Sequence, residues 1–233
     1  MSNIRLFFKE SLSNNITSNL DKTQSHYLTK VMRLSAGKNF SLFNQNGEWE
    51  AKIIQITKGI VEFLITKQLR SIINERELWL AFTPIKLNYL NMMIQKATEL
   101  GVTRFMPILS ERTIVRKINQ KRINKIIVEA SEQSNRLKIP KLGEVDKLDN
   151  FLKKNQRTNI VFGDLNTDNS KFNFKNSDPV CILIGPEGDF TIKERKNILK
   201  LKNITPLKIN ENILRSETAA ISLISIISFN LLS

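Results

Sequence analysis

Glu187 stands in the segment of the chain that is best suited to hold a ligand. An apolar run at residues 180–184 ends at Gly185-Pro186-Glu187-Gly188, and this pattern predicts a tight turn after a buried strand. Glycine allows the backbone to bend or to approach a ligand closely, and proline stiffens the turn. The turn therefore presents the Glu187 carboxylate at the end of a strand, where ligands commonly bind.

A second segment, at residues 213–220, has a similar organisation. A short predicted strand at 206–209 is followed by a polar loop, and Ser216-Glu217-Thr218 then predicts the start of a helix. Two such loops side by side would enclose a small polar molecule.

Each segment alone also has a purely structural interpretation. Gly-Pro-Glu-Gly is often no more than a turn. Ser216-Glu217-Thr218 is a common helix start, with favourable acidic charge in the first turn. The combination, order and spacing of the two segments favour a functional site over these interpretations.

Together the two segments resemble the signature loops of the SPOUT class of RNA methyltransferases, specifically those of the RsmE family. The resemblance rests on Leu-Ile-Gly-Pro-Glu-Gly at 183–188 and Ile-Leu-Arg-Ser-Glu-Thr-Ala at 213–219. It extends over nearly the whole chain, through residues 26–28, 31–34, 96–102, 110–112 and 129–136.

The resemblance implies a reaction in which S-adenosylmethionine donates a methyl group to N3 of a uridine in 16S ribosomal RNA of the small ribosomal subunit. The N3 proton must then be removed, or the negative ring stabilised. Candidate catalytic residues are Arg215, Glu187 and Glu217. Candidate cofactor-binding residues are Leu183, Gly185, Pro186, Glu187, Gly188, Ile209, Asn210, Ile213, Leu214, Arg215, Thr218 and Ala219.

The resemblance also implies the fold, which is α/β. A SPOUT-type parallel sheet with a C-terminal trefoil knot is expected at residues 73–233, and a small N-terminal PUA-like RNA-binding β-barrel at 1–72. A homodimer that uses the last helix is implied as well. The residue pattern agrees, because several short strands precede the polar passage at 71–77 and strand-helix alternation follows it.

The net charge of +14 predicts a polyanionic partner such as RNA, although a composition rich in Lys, Asn and Ile also indicates an AT-biased genome. Candidate RNA-binding residues are Lys30, Arg33, Arg112, Arg116, Gln133 and Arg136. A helix predicted at 119–136 would place Glu129, Gln133 and Arg136 on one face. A solvated helix surface or an intrahelical ion pair would give the same pattern.

The single cysteine, Cys181, lies in an apolar predicted strand. It excludes an internal disulfide and a cysteine-only metal site, and we expect it to be buried and inert. No metal is expected. The N-terminus lacks a signal-peptide pattern, and serines interrupt the apolar C-terminal stretch before it reaches the roughly 20 residues of a bilayer span. We therefore expect a cytoplasmic protein without a membrane partner.

Two positions depart from the family pattern, which usually has glycine where Asp189 and Asn210 stand. Asparagine tolerates a positive φ, and Asp189 is expected to cap the following helix.

Two alternatives remain open: another SPOUT enzyme that modifies a ribose 2′-hydroxyl or transfer RNA, and a non-catalytic RNA-binding ribosome-assembly factor. The chain lacks a Gly-x-Gly-x-x-Gly motif and a Walker A motif, which disfavours Rossmann and P-loop enzymes.

Overall fold

The structure, a computed structural model, describes residues 4–72, 74–172 and 179–232. The chain forms two compact units. The first contains Met1–Asn74 and Ser131–Ile139, and the second contains Glu75–Ala130 and Pro140–Ser233. The first unit thus includes a later segment, 131–139, which the sequence pattern grouped with the C-terminal domain.

The first unit is built on one five-stranded sheet. Its strands are β1 (Arg5–Phe7), β2 (Thr17–Asn19), β3 (Asn39–Asn44), β4 (Gly47–Thr57) and β5 (Ile60–Arg70), in the spatial order β1-β3-β4-β5-β2. The sequence Asn44-Gln45-Asn46-Gly47 between two apolar segments predicts a hairpin, and the structure confirms it, with Asn44 opposite Gly47. In β4 the residues Ala51 and Ile53 are completely buried, and in β5 the residues Val61, Phe63 and Ile65. Alternate residues of these two strands therefore contribute to this unit's core.

The sequence predicts a helix from Asp21 to Leu34, with Asp21 as N-cap, and only the first part of this segment is α-helical. Helix α1 (Lys22–His26) begins after Asp21, whose side chain accepts a hydrogen bond from the Gln24 N–H at 2.8 Å. A π-helical turn, Tyr27–Val31, continues it. Arg33 then has a φ of +55°, a conformation that a helix cannot continue.

The segment 131–139 is fixed to the first unit by the side chain of Arg5. The Arg5 guanidinium donates to the carbonyl oxygens of Glu132 at 2.9 Å and Arg136 at 2.8 Å. It also pairs with Glu48 at 3.0 Å, and both side chains are largely buried. The Glu132 carboxylate accepts the Phe7 N–H at 2.9 Å. The Arg5 guanidinium and the carboxylates of Glu48 and Glu132 therefore all have hydrogen-bond partners, which buried polar groups require.

The second unit is built on a parallel sheet with helices, as expected for an α/β protein. Its strands are β6 (Leu78–Phe82), β7 (Arg104–Leu109), β8 (Lys141–Leu142), β9 (Asp146–Lys147), β10 (Asn159–Gly163), β11 (Val180–Ile184) and β12 (Ile204–Leu207). The spatial order is β12-β10-β11-β6-β7-β8, with β9 beside β7. Strand β11 is buried along its whole length, which explains its uninterrupted apolar sequence.

The remaining helices are α2 (Leu87–Glu99), α3 (Gln120–Gln133), α4 (Leu148–Lys154), α5 (Ile192–Leu199) and α6 (Ser216–Leu232). The Asn- and Lys-rich sequence at 167–177 predicts a loop. This segment has no regular structure up to residue 172, and the rest of it lies outside the described residues. Nowhere in the described ranges is a helix long and apolar enough to cross a membrane.

Helix α3 ends earlier than its sequence pattern predicted, and this corrects the expectation for Arg136. Asn135 adopts a φ of +63°, and the Arg136 N–H donates to the Ser131 carbonyl at 3.2 Å. A left-handed residue followed by such a bond is a common way to terminate a helix. Arg136 therefore does not share a helix face with Glu129 and Gln133.

Candidate active site

Three neighbouring parallel strands end at one edge of the second unit's sheet, and a cavity of about 310 Å³ lies there. Strand β10 pairs with β11 on one side and with β12 on the other. The cavity is lined by Gly163, Asp164, Leu165, Ile184, Gly185, Pro186, Glu187, Gly188, Asp189, Leu207, Ile209, Ile213, Leu214, Ser216 and Ala219. Its size and mixed lining are those of a small-molecule site.

The turn after β11 requires glycine at Gly185 for lack of space. A Cβ atom built there would lie 3.1 Å from two ring atoms of Phe190, which is closer than carbon atoms normally pack. Phe190 itself packs against Phe162, with ring centroids 5.7 Å apart. The aromatic pair thus fixes the path of the backbone at the cavity.

Asp189 is the residue of this turn with an unusual backbone conformation, a φ of +58°. Its carboxylate accepts the Phe190 N–H at 2.7 Å. The expectation that Asp189 caps the next helix is wrong, because Thr191 is the N-cap of α5 and forms a capping box with Glu194. A glycine, the residue usual in the family, would adopt this φ without strain.

The second segment is joined to the first by Ser216. The Ser216 hydroxyl donates to the Gly185 carbonyl oxygen at 2.9 Å, so the first residue of α6 is attached to the turn after β11. Asn210 has no positive φ, and its side chain accepts the Asn212 N–H at 2.8 Å. Ile213 borders the cavity but is 87% exposed.

The structure places most of the proposed cofactor-binding residues together, but not all of them. Those that line the cavity are Gly185, Pro186, Glu187, Gly188, Ile209, Ile213, Leu214 and Ala219. Leu183 is completely buried in the sheet, and Asn210, Arg215 and Thr218 lie outside the lining.

Sequence reasoning missed the wall that follows β10, formed by Gly163, Asp164 and Leu165. The available signal was the segment 159–162, which begins a predicted strand, because parallel neighbours bring their carboxyl ends to one edge of a sheet.

The two candidate glutamates differ in environment. Glu187 is exposed at the cavity, whereas Glu217 is 4% exposed in the first turn of α6. The positive end of the helix dipole favours a negative charge at the Glu217 position. One carboxylate is therefore accessible from solvent, and the other is enclosed and held on a helix.

Arg215 is exposed and is oriented by Tyr89 of helix α2. Its guanidinium donates to the Tyr89 hydroxyl at 3.0 Å and lies 5.4 Å from the ring centroid. This combination of hydrogen bond and cation–π contact holds the charged group while leaving donors free for a ligand. Tyr89 was not identified from the sequence.

Of the proposed RNA-binding residues, Arg112 and Arg116 belong to the second unit. The Arg112 guanidinium donates to the Gly188 carbonyl at 2.7 Å, so it contacts the turn after β11 directly, and Arg116 is exposed. On the first unit, Lys30, Arg33 and Gln133 are exposed and Arg136 is 9% exposed.

Cys181 is buried in strand β11. Burial raises the pKa of its thiol to about 12, so the thiol stays neutral near pH 7 and is not an effective nucleophile. Among the residues that the structure describes, no group of three or more His, Cys, Asp or Glu side chains is arranged to hold a metal ion.

Comparison with known families defines the class of the protein. A model described as "RNA methyltransferase domain" matches residues 73–228, and one described as "RNA methyltransferase PUA domain" matches residues 20–66. The N-terminal unit is thus PUA-like and the parallel sheet is that of an RNA methyltransferase, as the fold expectation stated.

Individual proteins that are similar to this chain show which family of RNA methyltransferases it belongs to. The ribosomal RNA small subunit methyltransferase E of Rickettsia conorii is 33% identical, over 86% of this chain and 84% of its own. The protein of that name from Neisseria gonorrhoeae, solved bound to S-adenosyl methionine, superposes with a TM-score of 0.88 at 25% identity, covering 98% of both chains. A Legionella pneumophila protein in complex with the same cofactor gives a TM-score of 0.87 at 27% identity, covering 99% of this chain and 98% of its own. The chain belongs to the ribosomal RNA small subunit methyltransferase E family.

Proposed function

We propose that the protein transfers a methyl group from S-adenosylmethionine to N3 of a uridine in 16S ribosomal RNA. The observation that carries this proposal is the cavity at the ends of β10, β11 and β12, in a chain that belongs to this family and resembles a cofactor-bound relative along its whole length. The alternatives, another RNA target or a non-catalytic assembly factor, become outcomes of the test below.

The cavity fits the donor in size and in chemistry. Its volume of about 310 Å³ lies within the range of small-molecule sites. Ile209 and Leu214 provide apolar walls for an adenine ring, and the backbone at Gly185 and Gly188 offers hydrogen-bonding groups. Because Gly185 has no side chain, its backbone would lie directly against a ligand in the cavity. When bound, S-adenosylmethionine supplies a methyl group activated by its positive sulfonium.

The residues around the cavity can assist the uridine. Arg215, held by Tyr89, is proposed to bind an oxygen of the uracil ring and to stabilise the negative charge that forms as the N3 proton leaves. Glu187 or Glu217 is proposed to accept that proton. Glu217 is the enclosed group of the two, so it would act without competition from bulk water.

The RNA is proposed to contact basic residues of both units and the amide of Gln133. Arg112 and Arg116 are the candidates of the second unit, and Lys30, Arg33, Gln133 and Arg136 are those of the first. In this proposal residues 1–72 form the RNA-binding domain and 73–233 the methyltransferase domain. Phosphate contacts would position the RNA, and the cavity edge would select the base.

We also propose a cytoplasmic homodimer with a trefoil knot around the donor site. Helices α2 and α6 pack together, and each has exposed apolar residues: Leu87 and Met92 on α2, Ile226 and Phe229 on α6. Contiguous apolar surface is typical of interfaces, and we propose that these residues belong to one. For the knot, the support is that α6 returns to the end of β11 through Ser216 after the chain has passed through β12.

The test is a methyl-transfer assay with the purified protein, labelled S-adenosylmethionine and small ribosomal subunits that lack the modification, followed by nucleoside mass spectrometry. The expected product is N3-methyluridine at a single position. A ribose 2′-O-methyl product, or methylation of transfer RNA alone, would replace the proposed target. Absence of both donor binding and transfer would support the assembly-factor alternative.

A further inference from the structure

Asp164 is a fully buried acid in the wall of the cavity, and its charge is paired with Arg195. The Asp164 side chain has no exposed surface. Its two carboxylate oxygens accept hydrogen bonds from Arg195 at 3.1, 3.1 and 2.8 Å. A bidentate pair of this kind fixes both position and orientation.

The same two residues also hold the backbone of the cavity wall. The Asp164 carboxylate accepts the Asn166 N–H at 3.0 Å, and Arg195 donates to the Asn166 carbonyl at 3.1 Å. The Asp164 N–H donates to the Leu207 carbonyl at 3.1 Å. The segment that follows β10 is thus attached both to β12 and to Arg195.

Arg195 lies on α5, the helix that follows the turn after β11. Phe190, which fills the space beside Gly185, comes just before the N-cap of this helix, Thr191. One short helix therefore connects two walls of the cavity: its start is joined to the Gly185 turn, and its side chain Arg195 holds the segment after β10.

We propose that the Asp164–Arg195 pair is a positioning device for the methyl donor, which sets the distance between the wall after β10 and the turn after β11. The inference rests on the proposed function, because it assigns the cavity to S-adenosylmethionine. Neither side chain needs to touch the donor. The carboxylate is enclosed and already bonded, and it acts by holding the backbone of Gly163, Asp164 and Leu165 at the cavity.

The geometry requires arginine rather than any cation. Arg195 makes bonds to both Asp164 oxygens and to the Asn166 carbonyl, and only a guanidinium has enough donors in a planar arrangement for all three. The Lys196 side chain, next in sequence and exposed on the same helix, has no part in this contact and offers a matched control.

The test compares Arg195→Met, Arg195→Lys and Lys196→Met in the full-length protein. We expect Arg195→Met to raise the donor Kd, measured by calorimetry, and the donor KM by about tenfold or more, since small displacements in a preorganised site are costly. The kcat at saturating donor and the KM for RNA should stay within about threefold of the wild type. Arg195→Lys should be intermediate, and Lys196→Met should match the wild type.

The double variant Asp164→Asn/Arg195→Met covers the case in which a single change leaves a buried unpaired charge and prevents folding. It removes both charges, so it should fold, and it should bind the donor more weakly than the wild type does. Wild-type donor affinity in Arg195→Met or in the folded double variant would overturn the inference, as would a parallel fall of kcat, RNA affinity and thermal stability. If the wild type itself binds no donor, the proposed function fails instead.

Discussion

The hydroxyl of Ser216 donates a hydrogen bond of 2.9 Å to the carbonyl oxygen of Gly185. This bond joins the start of α6 to the turn after β11, and both ends of it border the same cavity. Ser216 is 7% exposed, so water cannot readily replace the lost donor. The two loops that the sequence singled out are thus attached to each other by a bond that a single substitution can test.

Ser216→Ala should loosen this attachment. We expect a loss of about 1 kcal/mol in the free energy of unfolding and a rise of about three- to tenfold in the donor Kd, because a partly buried carbonyl loses its partner. Urea unfolding and calorimetry measure the two effects. Ser225→Ala, on an exposed part of the same helix, is the control. Unchanged donor affinity in Ser216→Ala would show that the bond does not shape the cavity.

Gly185→Ala tests the crowding at the first turn. The added methyl group would lie 3.1 Å from the Phe190 ring, so we expect a destabilisation of about 1–3 kcal/mol by overpacking together with strongly weakened donor binding. Gly188→Ala is a matched control for stability in the same turn, since its added Cβ would meet no protein atom closer than Arg112 Cδ at 3.7 Å. Equal losses of stability in the two variants would contradict the steric explanation.

The sequence predicted those parts of the molecule that local patterns determine. Strands β6 and β11 are uninterrupted apolar runs, and the Gly185 turn carries its own glycine and proline signal. Helix α5, whose sequence mixes charged and apolar residues without a clear period, was expected only as a helix of undefined length after Asp189, and its N-cap is Thr191 instead. Asp164 and Arg195 are brought together only by the fold, so no local signal marked the pair. The early end of α3 depends on the backbone conformation of Asn135, which helix periodicity does not reveal.

Arg215 and Tyr89 provide the test of the catalytic assignment. Arg215→Ala should lower kcat at least about 100-fold, because it removes the group proposed to stabilise the developing charge. The donor Kd should change little, since Arg215 lies outside the cavity lining. Tyr89→Phe keeps the ring but removes the hydroxyl at 3.0 Å, and it should lower kcat only about two- to fivefold. Full turnover by Arg215→Ala would remove Arg215 from the mechanism.

The buried thiol of Cys181 should make the free energy of unfolding fall as the pH rises into the alkaline range. Because burial raises its pKa from 9.0 to about 12, the folded protein keeps the proton while the unfolded chain loses it. The contribution to stability is full below pH 9 and is lost as the pH rises toward 12. Cys181→Val should remove this contribution, so the fall in the free energy of unfolding between pH 8 and pH 10.5 should be smaller by roughly 1–2 kcal/mol. Parallel pH profiles of the two proteins would show that the thiol is accessible in the folded state.

The most direct test of the account is a calorimetric titration of the wild-type protein and Gly185→Ala with S-adenosylmethionine. If the strand ends form one donor site, the wild type should bind one donor per chain and Gly185→Ala should bind much more weakly, while Ser225→Ala, changed at an exposed position of α6, binds as the wild type does. Absence of binding by the folded wild type, or equal binding by all three proteins, would contradict the account.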